Sequence, residues 1–319
     1  MFAILSITTP IFLVIAIGYF SARFDYFPPQ HLPAVGTFVV RIALPALLFK
    51  SLSERSFVEV MNFPYLAAYA GGSLVVLFLA LIWSLLVRKQ QLPAAAFAAM
   101  SASCPNSAFI GFPLAYGIVG PTATVALALS MIVENLILLP LCLALADSGS
   151  DIGGAGFVRS FANALRNLPK NPIVVAIVLA FIFATFELQL PTVLMSGVNL
   201  LASATAASAL FFIGGTLATI HAQSIFGKVV WVTSFKLVLH PLSVLGALFL
   251  FGPVDPDLSM AAVLIASAPM MSILPILAQR HGLQAVSAAA LLVSTLTSFV
   301  TITLFVWAVQ QLPLLRYPW

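Results

Sequence analysis

Long apolar runs alternate with short polar connectors along the chain. An α-helix needs about 20 predominantly apolar residues to cross the hydrocarbon core of a bilayer. Runs close to this length occupy residues 2–22, 31–52, 63–87, 94–118, 121–146, 172–188, 190–219, 228–251, 258–280 and 283–309. The pattern predicts an all-α integral membrane protein with ten transmembrane helices, numbered here as spans 1 to 10.

Polar and helix-breaking residues interrupt two of these runs at their centres. Span 4 contains Ser-Cys-Pro-Asn-Ser at residues 103–107, and span 9 contains Ser-Ala-Pro-Met-Met-Ser at residues 267–272. Proline removes a backbone donor and clashes with the preceding turn, whereas small residues let two backbones approach closely. We therefore predict that spans 4 and 9 are broken helices that cross at their breaks.

The predicted breaks create a candidate anion site near the middle of the membrane. The N–H groups at the start of a helix carry about half a positive charge, and two such ends that face each other attract an anion. Pro105 suits the first position of a helix, and Asn106 or Ser107 can cap the helix or donate a hydrogen bond. The candidate substrate-binding residues are Ser103, Pro105, Asn106, Ser107, Pro269, Met270, Met271 and Ser272.

Segments of the first half of the chain recur in the same order in the second half. The matched pairs are Thr8–Tyr19 with Lys170–Phe181, Leu44–Leu52 with Ser208–Leu217, and Ser103–Pro113 with Ser267–Leu277. Three matches in one order, at a nearly constant offset, indicate a duplication. Because each half holds an odd number of spans, the second half must enter the membrane from the opposite side, which makes the repeat inverted.

The duplication divides the chain into three parts. We predict a first five-helix repeat at residues 1–146, a cytoplasmic linker at residues 147–171 and a second five-helix repeat at residues 172–319. Apolar residues within 157–168 share one helical face, which is typical of a short helix lying at the membrane interface. A plain connector is the alternative for this segment.

Composition and charge agree with a membrane protein. Hydrophobic residues make up 62% of the chain and charged residues 7%, whereas a soluble domain carries about 25% charged residues. The basic residues are scattered through short loops, so the net charge of +4 does not indicate a nucleic-acid surface. Eight of them fall on one side of the predicted membrane, against Lys50, Arg55 and Arg316 on the other. The positive-inside rule then places both termini outside the cytoplasm.

The sequence contains no recognisable catalytic or metal-binding motif. The four histidines are dispersed, and Cys104 and Cys142 both lie inside apolar runs, so we predict no metal site and no cofactor. Neither G-x-S-x-G nor H-E-x-x-H occurs, which argues against an intramembrane enzyme. A glycine-rich phosphate loop followed by lysine is also missing from the sequence, which argues against ATP-driven transport.

Four further polar residues lie inside predicted spans and are candidates for ion coupling or charge pairing. Glu134 and Asn135 are neighbours in span 5, and Lys236 and His240 are four residues apart on one face of span 8. Glu134 either holds a proton or a cation, or forms a structural pair. Lys236 either attracts an anion or pairs with Glu134. His240 either joins this chemistry or satisfies hydrogen bonds at the kink made by Pro241.

The chain resembles the auxin efflux carrier family, which includes the plant PIN proteins and many bacterial homologues. The motifs that carry the resemblance are TTPIFLVIAIGY at 8–19, ALPALLFKSL at 43–52, CPNSAFIGFPLAYGIVGPTA at 104–123, ALFFIGGTLA at 209–218, FKLVLHPL at 235–242 and SAPMMSILPILAQRHG at 267–282. The resemblance implies a fold related to bile-acid:sodium symporters, with a scaffold domain from spans 1, 2, 6 and 7. It also implies a transporter domain from spans 3–5 and 8–10, elevator-type movement, the bacterial inner membrane as location, and a homodimer formed through the scaffold half.

Members of this family carry organic anions, namely auxin in plants and small carboxylates such as malonate in some bacteria. By this likeness Asn106 contacts the substrate carboxylate. The second half departs from the pattern, because Met270 and Met271 stand where a polar pair is expected and leave mainly backbone donors there. Arg41 falls in the scaffold half, where it is interpreted as snorkelling or paired rather than substrate-binding.

We therefore expect a secondary transporter of a small organic anion that works by elevator-type alternating access in the lipid bilayer. A sodium-coupled symporter of the bile-acid type is the alternative, because sodium sites use oxygen ligands around broken helices. The side chains that could supply such oxygens are Ser101, Ser103, Glu134, Ser294, Thr295 and Thr297. The coupling ion, H⁺ or Na⁺, stays open at this point.

Overall fold

The computed structural model describes residues 2–54, 61–149, 157–219 and 226–311. Arg55 and Arg316, two of the charges behind the predicted topology, lie outside these ranges, as do His221 and linker residues 150–156. The described chain is helical apart from short connectors and one isolated antiparallel bridge. Its α-helices are α1 (Phe2–Arg23), α2 (Leu32–Phe38), α3 (Leu44–Ser53), α4 (Phe63–Ile82), α5 (Leu92–Ser103), α6 (Phe112–Val119), α7 (Thr122–Val133), α8 (Leu139–Ser148), α9 (Phe157–Arg166), α10 (Pro172–Thr185), α11 (Thr192–Ser203), α12 (Thr205–Thr219), α13 (Phe226–Ser234), α14 (His240–Leu250), α15 (Pro256–Ser267), α16 (Leu274–Ala278) and α17 (Gln284–Gln311).

Most of the predicted spans correspond to long apolar helical segments. Within the described ranges, six such segments are long and apolar enough to cross a membrane, namely Pro29–Ser53, Phe63–Val87, Thr122–Ser148, Thr192–Thr219, Val229–Leu250 and Gln284–Ala308. They coincide with predicted spans 2, 3, 5, 7, 8 and 10. Span 1 corresponds to α1 and span 6 to α10. Spans 4 and 9 are each broken into two shorter helices, α5 with α6 and α15 with α16, as the sequence predicts.

Several long segments are locally widened into π-helical turns, in which hydrogen bonds close over five residues. In the described chain these turns are Val39–Ala43, Trp83–Val87, Ser107–Gly111, Glu134–Leu138 and Phe235–Leu239. All but the Trp83–Val87 turn lead directly into a helix whose second residue is proline. Proline cannot donate to the preceding turn and its ring clashes there, and local π adjustment re-satisfies the freed backbone groups inside a membrane. These four turns carry Arg41, Ser107, Glu134 and Lys236.

Helices α1 and α12 pack backbone against backbone through two glycines. A Cβ atom added to Gly18 would lie 2.2 Å from the carbonyl oxygen of Phe211, and one added to Gly214 would lie 1.9 Å from the carbonyl oxygen of Ile15. Without a strong hydrophobic drive between helices in lipid, such close approach supplies the van der Waals contact that holds them together. The two helices come from spans 1 and 7, which the family resemblance assigns to one domain.

The linker contains the predicted short helix, α9. It ends at Arg166, so the predicted extension to residue 168 is wrong: Leu168 begins a separate 3₁₀ turn, Leu168–Lys170. Pro169 explains the early end, because the residue before a proline is disfavoured in the α conformation. The segment from α9 to Lys170 is bent by 59° from α10. Its location at the membrane interface stays a prediction.

Candidate functional site

The two broken helices meet backbone to backbone at their breaks. The contacts that join them are the antiparallel Pro105–Met270 bridge, a 2.7 Å hydrogen bond from the N–H of Asn106 to the carbonyl of Pro269, and a 3.1 Å hydrogen bond from the N–H of Met271 to the carbonyl of Cys104. The pairing satisfies backbone groups that the helix breaks release inside the protein. The predicted crossing of spans 4 and 9 is confirmed.

A cavity of about 210 Å³ lies beside this crossing. Pockets for drug-sized ligands occupy about 300–1,000 Å³, so this one suits a ligand of few heavy atoms. Its polar wall consists of Asn106, Ser107, Glu134, Asn135, Asn171 and Ser272. Apolar side chains, including Phe109 and Met131, close the rest.

Five of the eight predicted substrate-binding residues line the cavity, namely Pro105, Asn106, Ser107, Met271 and Ser272. The other three, Ser103, Pro269 and Met270, do not line it, and their assignment as substrate contacts stays a prediction. The Ser103 hydroxyl instead donates to the carbonyl of Ala99 at 2.9 Å. Pro269 and Met270 are occupied in the bridge, where Met270 is fully buried. These residues shape the crossing rather than the cavity wall.

Asn106 lines the cavity and contains a buried amide nitrogen without a partner. Its side chain is 2% exposed, and its Nδ2 atom has no hydrogen-bond partner among the described residues. It stands at the N-cap position of the Ser107–Gly111 turn, but its side chain makes no capping hydrogen bond, so the predicted capping role is wrong. A buried donor without a partner is costly. A ligand oxygen in the cavity would satisfy it.

The start of the second half-helix of span 4 also faces the cavity. The first hydrogen bonds onto this segment are donated by Ile110 and Gly111 to the carbonyl of Asn106. The preceding amides belong to the unpaired end of the helix, and residues 107–109 line the cavity. This end carries the partial positive charge of the helix dipole.

The matching end in span 9 is much weaker than predicted. Helix α16 has five residues and begins at Leu274, five positions beyond Pro269. Few peptide dipoles align over so short a helix, so its N-terminus carries little charge. The predicted symmetric pair of helix ends is therefore formed on one side only. Pro105 also differs from prediction, because it lies in the bridge and not at the first position of the half-helix.

Glu134 forms the acidic part of the cavity wall and is 1% exposed. Its Oε1 atom accepts a hydrogen bond from the hydroxyl of Tyr69 at 2.9 Å and another from the hydroxyl of Ser107 at 2.5 Å. These bonds tie spans 3 and 4 to span 5. Tyr69 is a site residue that the sequence did not reveal.

Lys236 and His240 lie together, as their spacing predicts, but they are not part of this cavity wall. The Nζ atom of Lys236 donates to Nδ1 of His240 at 2.7 Å and to the carbonyl of Ala266 at 2.7 Å. Nδ1 is therefore the acceptor, and Nε2 of His240 donates to the hydroxyl of Ser73 at 2.9 Å. No direct ion pair joins Lys236 to Glu134 in the described chain.

Asn135 and Asn171 form a hydrogen bond at the cavity wall. The Nδ2 atom of Asn171 donates to Oδ1 of Asn135 at 3.0 Å, while Nδ2 of Asn135 donates to the carbonyl of Met131 at 2.8 Å. Asn171 also caps α10, because its Oδ1 atom accepts from the N–H of Ile173 at 3.0 Å. The bond joins span 5 to the start of span 6. Asn171 was not predicted as a site residue.

A second cavity of about 460 Å³ adjoins the first and contains Arg41 in its wall. The two cavities share Val40, Phe109, Asn171, Ser272 and Ile273. Arg41 is exposed in the π-helical turn of span 2. Arg41 therefore lines a cavity beside the crossing, and its interpretation as snorkelling or paired stays a prediction.

The chain is similar to known membrane transport proteins. The family described as "Membrane transport protein" matches residues 3–154 and 155–306. A protein of Rhizobium meliloti (strain 1021), named "Putative malonate transporter", is 31% identical over 314 residues, which cover 97% of this chain and 96% of the relative. A protein of Escherichia coli (strain K12), named "Uncharacterized transporter YfdV", is 31% identical over 242 residues, which cover 74% of this chain and 75% of the relative. Both relatives are named as transporters and not as enzymes. The chain therefore belongs to the auxin efflux carrier family of membrane transport proteins.

Proposed function

We propose that the chain is a secondary transporter of a small carboxylate anion, which binds in the cavity beside the crossing. The observation that carries this proposal is the unpaired, almost fully buried amide of Asn106 in the cavity wall. A hydrogen bond to a charged group contributes about 1.5–3 kcal/mol. A carboxylate oxygen is the kind of acceptor that would recover this energy.

The surrounding charges favour the same class of ligand. The helix end at residues 107–109 and the guanidinium of Arg41 both attract a negative group. The small cavity volume favours a short mono- or dicarboxylate over a large amphipath. Because the Rhizobium meliloti relative is named "Putative malonate transporter", malonate is the first candidate substrate.

The architecture that best supports transport is a ten-helix inverted repeat, with halves at 1–146 and 172–319 joined by the linker 147–171. The scaffold would comprise spans 1, 2, 6 and 7, and the transporter domain spans 3–5 and 8–10. The cavity wall takes Leu44 and Ile173 from spans 2 and 6, and Asn106 and Glu134 from spans 4 and 5. A site between two such bodies is suited to elevator-type movement, in which the transporter domain carries the substrate past the scaffold.

The proposed orientation puts both termini outside the cytoplasm of a bacterial inner membrane. The second cavity is lined by Pro33 and Thr37 near the start of span 2, Pro172 at the start of span 6 and Ile276 near the end of span 9. In the proposed topology all of these ends are cytoplasmic, so the described conformation would be open to the inside. A homodimer through the scaffold half completes the proposal.

Uptake by purified protein in liposomes tests this function. Radiolabelled malonate, acetate, succinate, indole-3-acetate and taurocholate are supplied in turn, each with and without a sodium gradient. Saturable uptake of one small carboxylate without sodium is the expected result. Uptake that requires the sodium gradient would favour the bile-acid type of symporter, and failure of every anion would refute an anionic substrate.

A further inference from the structure

Glu134 is a carboxyl group placed where an anion is proposed to bind. It lines the same small cavity as Asn106, and it is 1% exposed. An unpaired charge at such a depth in a membrane protein is costly. Tyr69 and Ser107 donate hydrogen bonds to its Oε1 atom, but these donors are neutral. The site therefore contains an acid whose charge conflicts with that of its ligand.

The groups beside Glu134 come from three neighbouring elements. Helix α4 contributes Tyr69, with Tyr65 stacked behind it at a ring-centroid distance of 5.9 Å. The break of span 4 contributes the hydroxyl of Ser107. The start of α10 contributes the Asn171 amide, which lines the same cavity. None of these groups is basic.

Span 8 contains a buried basic residue, Lys236, outside the cavity wall. Its Nζ atom is bonded to His240 and to the carbonyl of Ala266. The anion adds negative charge to a cavity whose wall contains Glu134 and no basic residue, since Arg41 lines the adjoining cavity.

We propose that Glu134 is the proton-carrying residue of this transporter, taking up one proton as the anion binds and releasing it as the anion leaves. The inference rests on the proposed transport of a small carboxylate. One proton then accompanies each anion across the membrane, so that the empty site contains the charge of Glu134 and the loaded site contains only the charge of the anion. Two unit charges about 6 Å apart at an effective dielectric constant of about 20 repel strongly enough to change an affinity about a hundredfold. Because linkage is reciprocal, the anion would raise the affinity of Glu134 for its proton by the same factor.

Proton movement during transport tests this role. Purified protein is placed in liposomes with the membrane potential clamped to zero and a pH-sensitive dye in the lumen. Radiolabelled malonate is added with the outside either more acidic than the lumen or at equal pH. We expect the acidic outside to drive malonate accumulation, and we expect malonate to acidify the lumen in excess of protein-free liposomes.

Two variants assign the effect to Glu134. Glu134→Gln keeps an oxygen that accepts from Tyr69 and Ser107 but cannot ionise, and we expect it to exchange malonate without pH-driven accumulation or lumenal acidification. Glu187→Gln, in the exposed turn after α10, is the matched control and should keep both pH-driven accumulation and lumenal acidification. Proton-driven accumulation by Glu134→Gln equal to the wild type would overturn the assignment.

If wild-type protein exchanged malonate saturably but moved no protons, the inference would fall and the proposed function would stand. If the wild type exchanged no malonate or other small carboxylate, both would fall.

Discussion

Asn106 lines the cavity, is almost completely buried, and has an amide nitrogen with no hydrogen-bond partner among the described residues. Its counterpart in the second half is a methionine, and Ser272 is the polar residue of span 9 in the wall. The two halves therefore contribute unequally: the first supplies a side-chain donor and a helix end, and the second supplies a hydroxyl and apolar surface. In the proposed inverted repeat, such unequal halves would give one preferred orientation to a bound carboxylate.

Replacing Asn106 with alanine should weaken carboxylate binding about 10- to 100-fold, because a hydrogen bond to a charged group contributes about 1.5–3 kcal/mol. The measurement is the dissociation constant of radiolabelled malonate for purified protein in detergent. Asn167→Ala, an exposed position in the linker, is the control and should bind like the wild type. Equal affinities of Asn106→Ala and wild type, with both proteins monodisperse, would remove Asn106 from the list of ligands.

Single residues were predictable where their chemistry contradicts a membrane helix. Asn106 and Glu134 stand out because an amide and an acid are costly in an apolar span. Tyr69 did not stand out, since tyrosine is common in membrane helices and its hydroxyl partner is 65 residues away in sequence. Asn171 resembled an ordinary helix cap before Pro172, which it is. Its hydrogen bond from Nδ2 to Asn135 depends on tertiary packing, which the local sequence does not reveal.

Proline positions determine much of the helix geometry in this chain. The breaks in spans 4 and 9 followed from matched prolines flanked by small residues, and both breaks are present. The π-helical turns ahead of Pro45, Pro140 and Pro241 were not predicted, because a proline inside a helix can also be absorbed by a kink or a break. The short helix α16 was missed for a similar reason: Pro275 follows the break closely and restricts how the chain restarts.

Helix packing in the proposed scaffold depends on Gly214, which touches the backbone of α1. Gly214→Ala should destabilise the protein by about 1–3 kcal/mol, the usual cost of overpacking a close contact. The measurement is the thermal midpoint of purified protein in detergent. Gly197→Ala is a helical control with no neighbouring heavy atom within 4 Å of the added Cβ, and alanine is the better helix former there. We expect the midpoint to fall for Gly214→Ala and to stay or rise for Gly197→Ala; the reverse order would contradict the packing described here.

Asn135 and Asn171 join the two proposed domains across the cavity wall. If the transporter domain slides past the scaffold, this hydrogen bond must break in every cycle. It costs little to break, because a neutral hydrogen bond contributes only about 0.5–1.5 kcal/mol net. A hydrogen bond this weak can form and break in each transport cycle.

Linking these two positions should arrest transport. In an Asn135→Cys/Asn171→Cys double variant, a short thiol cross-linker such as Hg²⁺ should abolish malonate uptake, and a reducing thiol should restore it. Each single-cysteine variant is treated identically to measure the effect of mercury on one thiol in the cavity wall, and uptake by the double variant should fall well below that of either single variant. The native Cys104 and Cys142 are both buried. Full uptake by the cross-linked protein would show that the two elements do not move apart, and the elevator proposal would be wrong.

The central claim is that a small carboxylate binds beside the crossing of spans 4 and 9, and substrate protection of a cysteine in that cavity tests it most directly. Ser272→Cys places a partly exposed thiol in the cavity wall, whereas Lys50→Cys places one in a separate cavity that also contains Glu54. The rate of alkylation by a small charged thiol reagent is measured for each variant at increasing malonate. We expect malonate to slow alkylation of Ser272→Cys, with half of the effect at the concentration that half-saturates transport. We expect no such effect on Lys50→Cys. An unchanged rate at Ser272→Cys under saturating malonate would contradict it.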